Sequence, residues 1–180
     1  MSKPMRRRRK ENKINVKLFL GLVPAIIATV LLVNLVLSMQ RGNEQEYMKE
    51  VEGVWQQASL LTKEYDSWFT KWKNGELTDA EMIDITKKNI DDMNLLIDRL
   101  NNIEPPERLK DAHEFSVLSL QYERDSNEEI IKYIETKDEQ HLEKSQDLFQ
   151  NAFEYEGKAF TEFSKAGVGF DRGTVINISE

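Results

Sequence analysis

The feature that most constrains this chain is a run of 23 residues, Leu18 to Gln40, without a formal charge. As a helix rising about 1.5 Å per residue it reaches about 34 Å, against a bilayer hydrocarbon core of ~30 Å. Signal-peptide apolar regions run to about 7–15 residues, and Leu37-Ser38-Met39-Gln40 makes a poor cleavage site. Residues 18–40 therefore read as an uncleaved transmembrane helix. A removed signal peptide and a buried soluble helix are the alternatives.

The flanks set an orientation. The whole chain has a net charge of −7, yet residues 1–17 carry eight Lys and Arg against the single acid Glu11. Everything beyond holds 17 basic and 31 acidic residues. Arg6, Arg7, Arg8, Arg9 and Lys10 form the core of the basic cluster, and Lys and Arg beside a span resist translocation. The expectation is a single-pass cell-membrane protein, with residues 1–17 cytoplasmic and the C-terminal domain extracellular. The arginine run also suits nucleic acid or anionic headgroups. Topology accounts for it beside a span without a second partner, so the lipid bilayer is expected as a partner and nucleic acid is not.

Within the span, Gly21, Ala25 and Thr29 recur every four residues and share one helix face. Small residues at that spacing let two membrane helices approach closely, so this is the expected contact face of a homodimer. Pro24 interrupts the backbone bonding beside it.

Residues 43–166 show almost no strand signal: charged and apolar residues interleave at helical spacing, and Gly and Pro are sparse. Tyr47, Val51, Val54, Ala58, Leu61, Tyr65, Trp68 and Trp72 alternate steps of four and three, then meet the stop signal Asn74-Gly75. Thr78 with Glu81 forms a capping box that opens a second helix, its stripe drawn by Ile83, Ile90, Met93, Ile97 and Leu100. Pro105-Pro106 ends it and starts a third helix over about 106–136, apolar at Leu109, Val117, Leu120, Ile131 and Ile134. A second capping box, Thr136 with Glu139, is expected to open a fourth helix carrying Leu142, Leu148, Phe149, Ala152, Phe153, Ala159, Phe160 and Phe163. The fold class is all-α: a transmembrane helix followed by an antiparallel, up-down-up-down four-helix bundle. Residues 167–180 break the periodicity and read as a flexible tail.

The chain has no cysteine, which removes disulfides, thiolate metal sites, a cysteine nucleophile and a lipid-bearing cysteine together. No phosphate loop, zinc-helix motif or nucleophile elbow occurs, and the Glu-x-x-His pairs of di-iron bundles are missing. An enzyme is therefore not expected, nor a metal or cofactor. The acidic pairs Asp91-Asp92, Glu128-Glu129 and Asp138-Glu139 lack the alternating pattern of a calcium loop and read as solvated faces. Trp68 and Trp72 read as core or as a contact surface, and Trp55, beside the stripe, as partly exposed.

One polar constellation stands out. His113, Arg124 and Asn127 fall on the expected inward stripe of the third helix, and Glu156 on that of the fourth. A buried charge needs a partner, so Glu156 is expected to pair with Arg124 or His113. The cluster is read either as a ligand pocket between facing helices or as a pair fixing helix register.

The stretch from Ile103 to Phe149 opens with Pro105, Pro106, Leu109, Lys110, Ala112 and His113, then an amphipathic helix, a short acidic turn and another helix. It resembles the extracytoplasmic helical bundles of uncharacterised membrane-anchored or lipoprotein-type proteins of Gram-positive bacteria. The resemblance covers about a third of the chain; it implies a surface location and a bundle, and carries no activity. The expected function is a protein-interaction or scaffold module at the cell envelope, partnered by another membrane or envelope protein. The alternative is a ligand-sensing bundle that signals through a partner membrane protein, since 17 inner residues cannot form an output domain.

Overall fold

The computed structural model describes the backbone of residues 16–168 and the side chains of residues 43–168. The basic cluster Arg6 to Lys10, the side chains of the apolar run with its Gly21–Ala25–Thr29 face, and residues 169–180 lie outside the described set. Among the described residues no helix is long and apolar enough to cross a membrane. The chain divides into two compact units, Met1–Gly42 and Asn43–Glu180. In the first, residues 16–42 are helical.

The second unit is a four-helix bundle, with no strand among the described residues. Its helices are the 43–73 portion of α1 (Val16–Lys73), α2 (Asp79–Asn101), α3 (Lys110–Thr136) and α4 (Glu139–Lys165), with a 3-10 turn at Glu107–Leu109 before α3. Cross-helix bonds fix the directions. Glu50 meets Arg99, and Tyr65 meets Thr86. Asn89 meets Asn127, and Asp79 meets Lys137. Ser126 meets Ser145, and Ser119 meets Ala152. In each pair of sequential helices one partner number rises as the other falls, so neighbours run antiparallel.

Local chemistry sets the ends. The carbonyls of Trp72 and Lys71 accept from the amides of Gly75 and Glu76, closing α1 with Gly75 in the left-handed region at φ 77. The same closure recurs at the end of α4, where Gly167 and Val168 bond back to Ser164 and Phe163 and Val168 packs onto the core. The expected flexible tail is thus tied down through its first two residues. At α2 the Thr78–Glu81 capping box forms in both directions. The second expected box does not. Asp138 caps α4 by accepting from the Gln140 amide, while Thr136 bonds back to the Lys132 carbonyl and stays in α3. Lys137, left-handed at φ 59, makes the turn between them.

Two apolar clusters fill the interior. The larger joins Tyr47, Val51, Val54, Trp55 and Ala58 to Met93, Leu96, Ile97, Leu100, Leu109, Ala112, Leu120, Ala159 and Phe163. The smaller has Met82, Ile130 and Ile134 buried, flanked by Tyr65, Trp68, Phe69, Trp72, Ile83 and Leu142. Trp55 is 5 % exposed rather than partly so, its ring tilted against that of Phe160 at 5.5 Å between centroids. Trp68 and Trp72 are half-buried, with indole N–H groups donating to Glu64 and Asp79. On α2 Met93, Ile97 and Leu100 are buried as expected, but Ile83 and Ile90 are only half-buried and Met82, Thr86, Asn89 and Leu96 take interior places. For the third helix Leu109, Leu120 and Ile134 are buried as expected, Val117 and Ile131 are half-buried, and Ser116, Ser119, Ser126 and Ile130 are buried besides.

Candidate functional site

Between the two apolar clusters the bundle has a polar waist. Asn127 on α3 donates from Nδ2 to Asn89 Oδ1 on α2 at 2.8 Å, and Asn89 donates to the Leu61 carbonyl on α1 at 3.4 Å. The Tyr65 hydroxyl lies 3.2 Å from that of Thr86, which donates to the Met82 carbonyl at 2.7 Å, leaving the phenol as donor to Thr86. Burial raises the Tyr65 phenol, so it keeps its proton. Ser126 reaches both the hydroxyl and the carbonyl of Ser145 on α4, at 3.0 and 2.9 Å. These waist side chains tolerate the interior because each finds such a partner.

At this waist a half-open cavity of about 180 Å³ lies between α1, α3 and α4. Tyr65, Phe69, Ile130, Leu142 and Phe149 give it apolar walls; Thr62, Glu123, Ser126, Asn127 and Ser145 give it polar ones, with Asp66 and Gln146 exposed. Glu123 is the unusual group. Burial pushes its carboxyl up to about 7, helped by repulsion from Glu156 and opposed by the bond to Thr62. The Thr62 hydroxyl lies 2.6 Å from Glu123 Oε1 and 2.9 Å from the Ala58 carbonyl. One hydroxyl proton cannot serve both acceptors. When Glu123 is protonated its O–H donates to Thr62, which donates on to Ala58, and both acceptors are met.

The expected cluster of His113, Arg124, Asn127 and Glu156 is split. His113 Nδ1 sits 3.1 Å from the Tyr47 hydroxyl, beside the larger apolar cluster, and burial lowers its pKa. A neutral ring accepts the Tyr47 proton. Arg124 turns to its neighbour Asp125 and to Asn94 on α2, at 2.9 and 3.3 Å. Only Asn127 lines the cavity. Glu156, raised by burial, has no ion pair with Arg124 or His113; its electrostatic neighbour is another acid, Glu123. The Arg124 guanidinium is instead taken up by Asp125 on its own helix and Asn94 on α2.

A second buried carboxylate falls where a solvated face was expected. Glu129 is 3 % exposed and is gripped by Lys132 and Lys144 at 2.8 Å and His141 at 2.6 Å. Burial works against its charge, but these hydrogen bonds overcome it and hold the carboxyl down at about 2. Sequence reasoning missed both glutamates, since an acid on a helix reads as solvent-facing. A signal existed for Glu129: Lys132, His141 and Lys144 fall at spacings that an antiparallel hairpin brings together. No family model matches this chain, and neither a curated protein nor a solved structure matches it.

Proposed function

We propose that this chain is a membrane-anchored binding protein whose outer four-helix bundle takes a small molecule into the cavity between α1, α3 and α4. The span 18–40 tethers it and the basic N-terminus stays in the cytoplasm, a reading supported by the uncharged run and its basic flank. Binding is passed on through a partner membrane protein. The observation that carries the reading is the cavity itself: apolar walls with a few convergent polar groups, one of strongly shifted acidity, in a bundle interior. The scaffold reading rests on less. Its exposed large apolar side chains, Leu60, Leu95 and Phe153, sit on three different helices, and single surface apolar residues are ordinary.

The test is thermal melting of the full chain in detergent micelles against a set of small organic molecules, alongside Gln146→Trp. Gln146 is exposed at the cavity mouth, so the indole blocks access without disturbing the core. A ligand at a hundred times its dissociation constant adds about 2.7 kcal/mol to stability. Stabilisation lost in Gln146→Trp supports the reading; stabilisation unchanged by the plug places binding elsewhere and sinks it.

A further inference from the structure

Resting on that reading of the cavity, we infer that its occupant is a small organic monocation: a protonated amine or quaternary ammonium carried on a ring-sized apolar body.

The charge balance of the cavity is the first argument. Two carboxylates line it, Asp66 from α1 and Glu123 from α3, and Glu156 of α4 acts on Glu123 from nearby. No Lys, Arg or His is among the lining residues. Several acids elsewhere in the bundle have basic partners on the protein itself. Glu129 is held by Lys132, Lys144 and His141, Glu44 by Arg108, Asp79 by Lys137 and Glu50 by Arg99. Glu123 is given a threonine hydroxyl instead. A cation arriving from outside is what stabilises its ionised form.

The walls agree. Tyr65 and Phe69 from α1 and Phe149 from α4 present aromatic surface to the same space. A cation over an aromatic face gains electrostatic attraction, more so out of water, and quaternary ammonium groups are recognised in this way. An anion would meet carboxylates and ring faces of its own sign. Size then limits the body: an engineered apolar cavity of about 150 Å³ holds benzene, and this one is about 180 Å³ and half-open.

Calorimetric titration of the full chain in neutral detergent micelles at pH 8 tests this with benzylammonium, benzyl alcohol and benzoate, three probes alike in shape and different in charge. Benzylammonium is expected to bind at least tenfold more tightly than benzyl alcohol, and benzoate not measurably. In Glu123→Gln the benzylammonium affinity falls at least tenfold while benzyl alcohol stays within about twofold. Asp66→Asn, an exposed position that leaves the interior intact, lowers benzylammonium affinity about two- to threefold. It serves if Glu123→Gln does not fold. Benzyl alcohol or benzoate binding as tightly as the amine, with loss in Gln146→Trp, overturns the cation inference and leaves the binding cavity standing. No binding by any of the three overturns this inference, and the plug experiment then decides the cavity by itself. Phosphocholine, whose phosphate would meet Asp66, is expected to bind more weakly than benzylammonium. Tighter binding overturns the soluble-amine form in favour of a lipid headgroup.

Discussion

Two glutamates less than two turns apart on α3 are driven in opposite directions. At Glu123 burial dominates, and the carboxyl sits near 7 beside a hydroxyl and a second acid. Glu129 is also buried, yet two lysines and a histidine hold its carboxyl near 2. Depth in the bundle thus does not decide the charge of a side chain; the company it keeps does. The Glu129 end is a closed electrostatic knot. The Glu123 end has its charge requirement unmet, and that is where the cavity opens.

Three measurements break or sharpen this contrast, taken from the largest effect down. The first is urea denaturation between pH 4.5 and 8. A carboxyl raised in the folded state to about 7 stays protonated up to that pH while the unfolded chain ionises, so stability falls as pH rises from 4.5 through 7 and is flat above. The loss is roughly 3 kcal/mol, at about 1.4 kcal/mol per pKa unit. Glu123→Gln removes most of this decline and leaves the part owed to Glu156, whose carboxyl burial also raises; a wild-type profile that is flat in this range would remove the contrast altogether. Second, Asn127→Ala strands Asn89 and costs about 2 kcal/mol, equally at pH 5 and pH 8. Replacing Asn89 and Asn127 together by leucine returns most of that cost, because neither amide is then left unpaired. A pH-dependent cost would show that the waist is coupled to Glu123. The third is the acid limb. Glu129 has a depressed carboxyl, so its contribution is present above 4.5 and lost as pH falls toward 2. Its lysines stand half in water, which reduces the loss to about 1–2 kcal/mol and makes it shrink in salt. Glu129→Gln removes that limb and leaves the decline above pH 4.5 in place.

How far these features were legible beforehand follows their physics. The first helical stripe, from Tyr47 to Ala58, could be read directly, since apolar spacing and burial coincide there. So could the stop at Gly75 and the box at Thr78, which depend on a few adjacent residues. The stripes of α2 and α3 were read in part: Met93, Ile97, Leu100, Leu109, Leu120 and Ile134 are buried as expected, while the pull of isoleucine and valine misplaced Ile83, Ile90, Val117 and Ile131. Thr86, Asn89, Ser119 and Ser126 are buried because a partner helix supplies their bonds, and no single-helix pattern records a partner. The candidate site was missed for the same reason. Asn127 was singled out, but the cavity takes lining from three helices, and Glu123 looks like any surface acid until α1 and α4 enclose it.

The serine contacts between α3 and α4 bear on how the cavity can choose among molecules. Ser119 and Ser126 reach main-chain oxygens of the opposing helix, so the two backbones already touch through the smallest side chains available. That side cannot yield to a bulkier guest. Any room for one is gained by swinging Tyr65, Phe69 or Phe149, which makes those rings a gauge of molecular width.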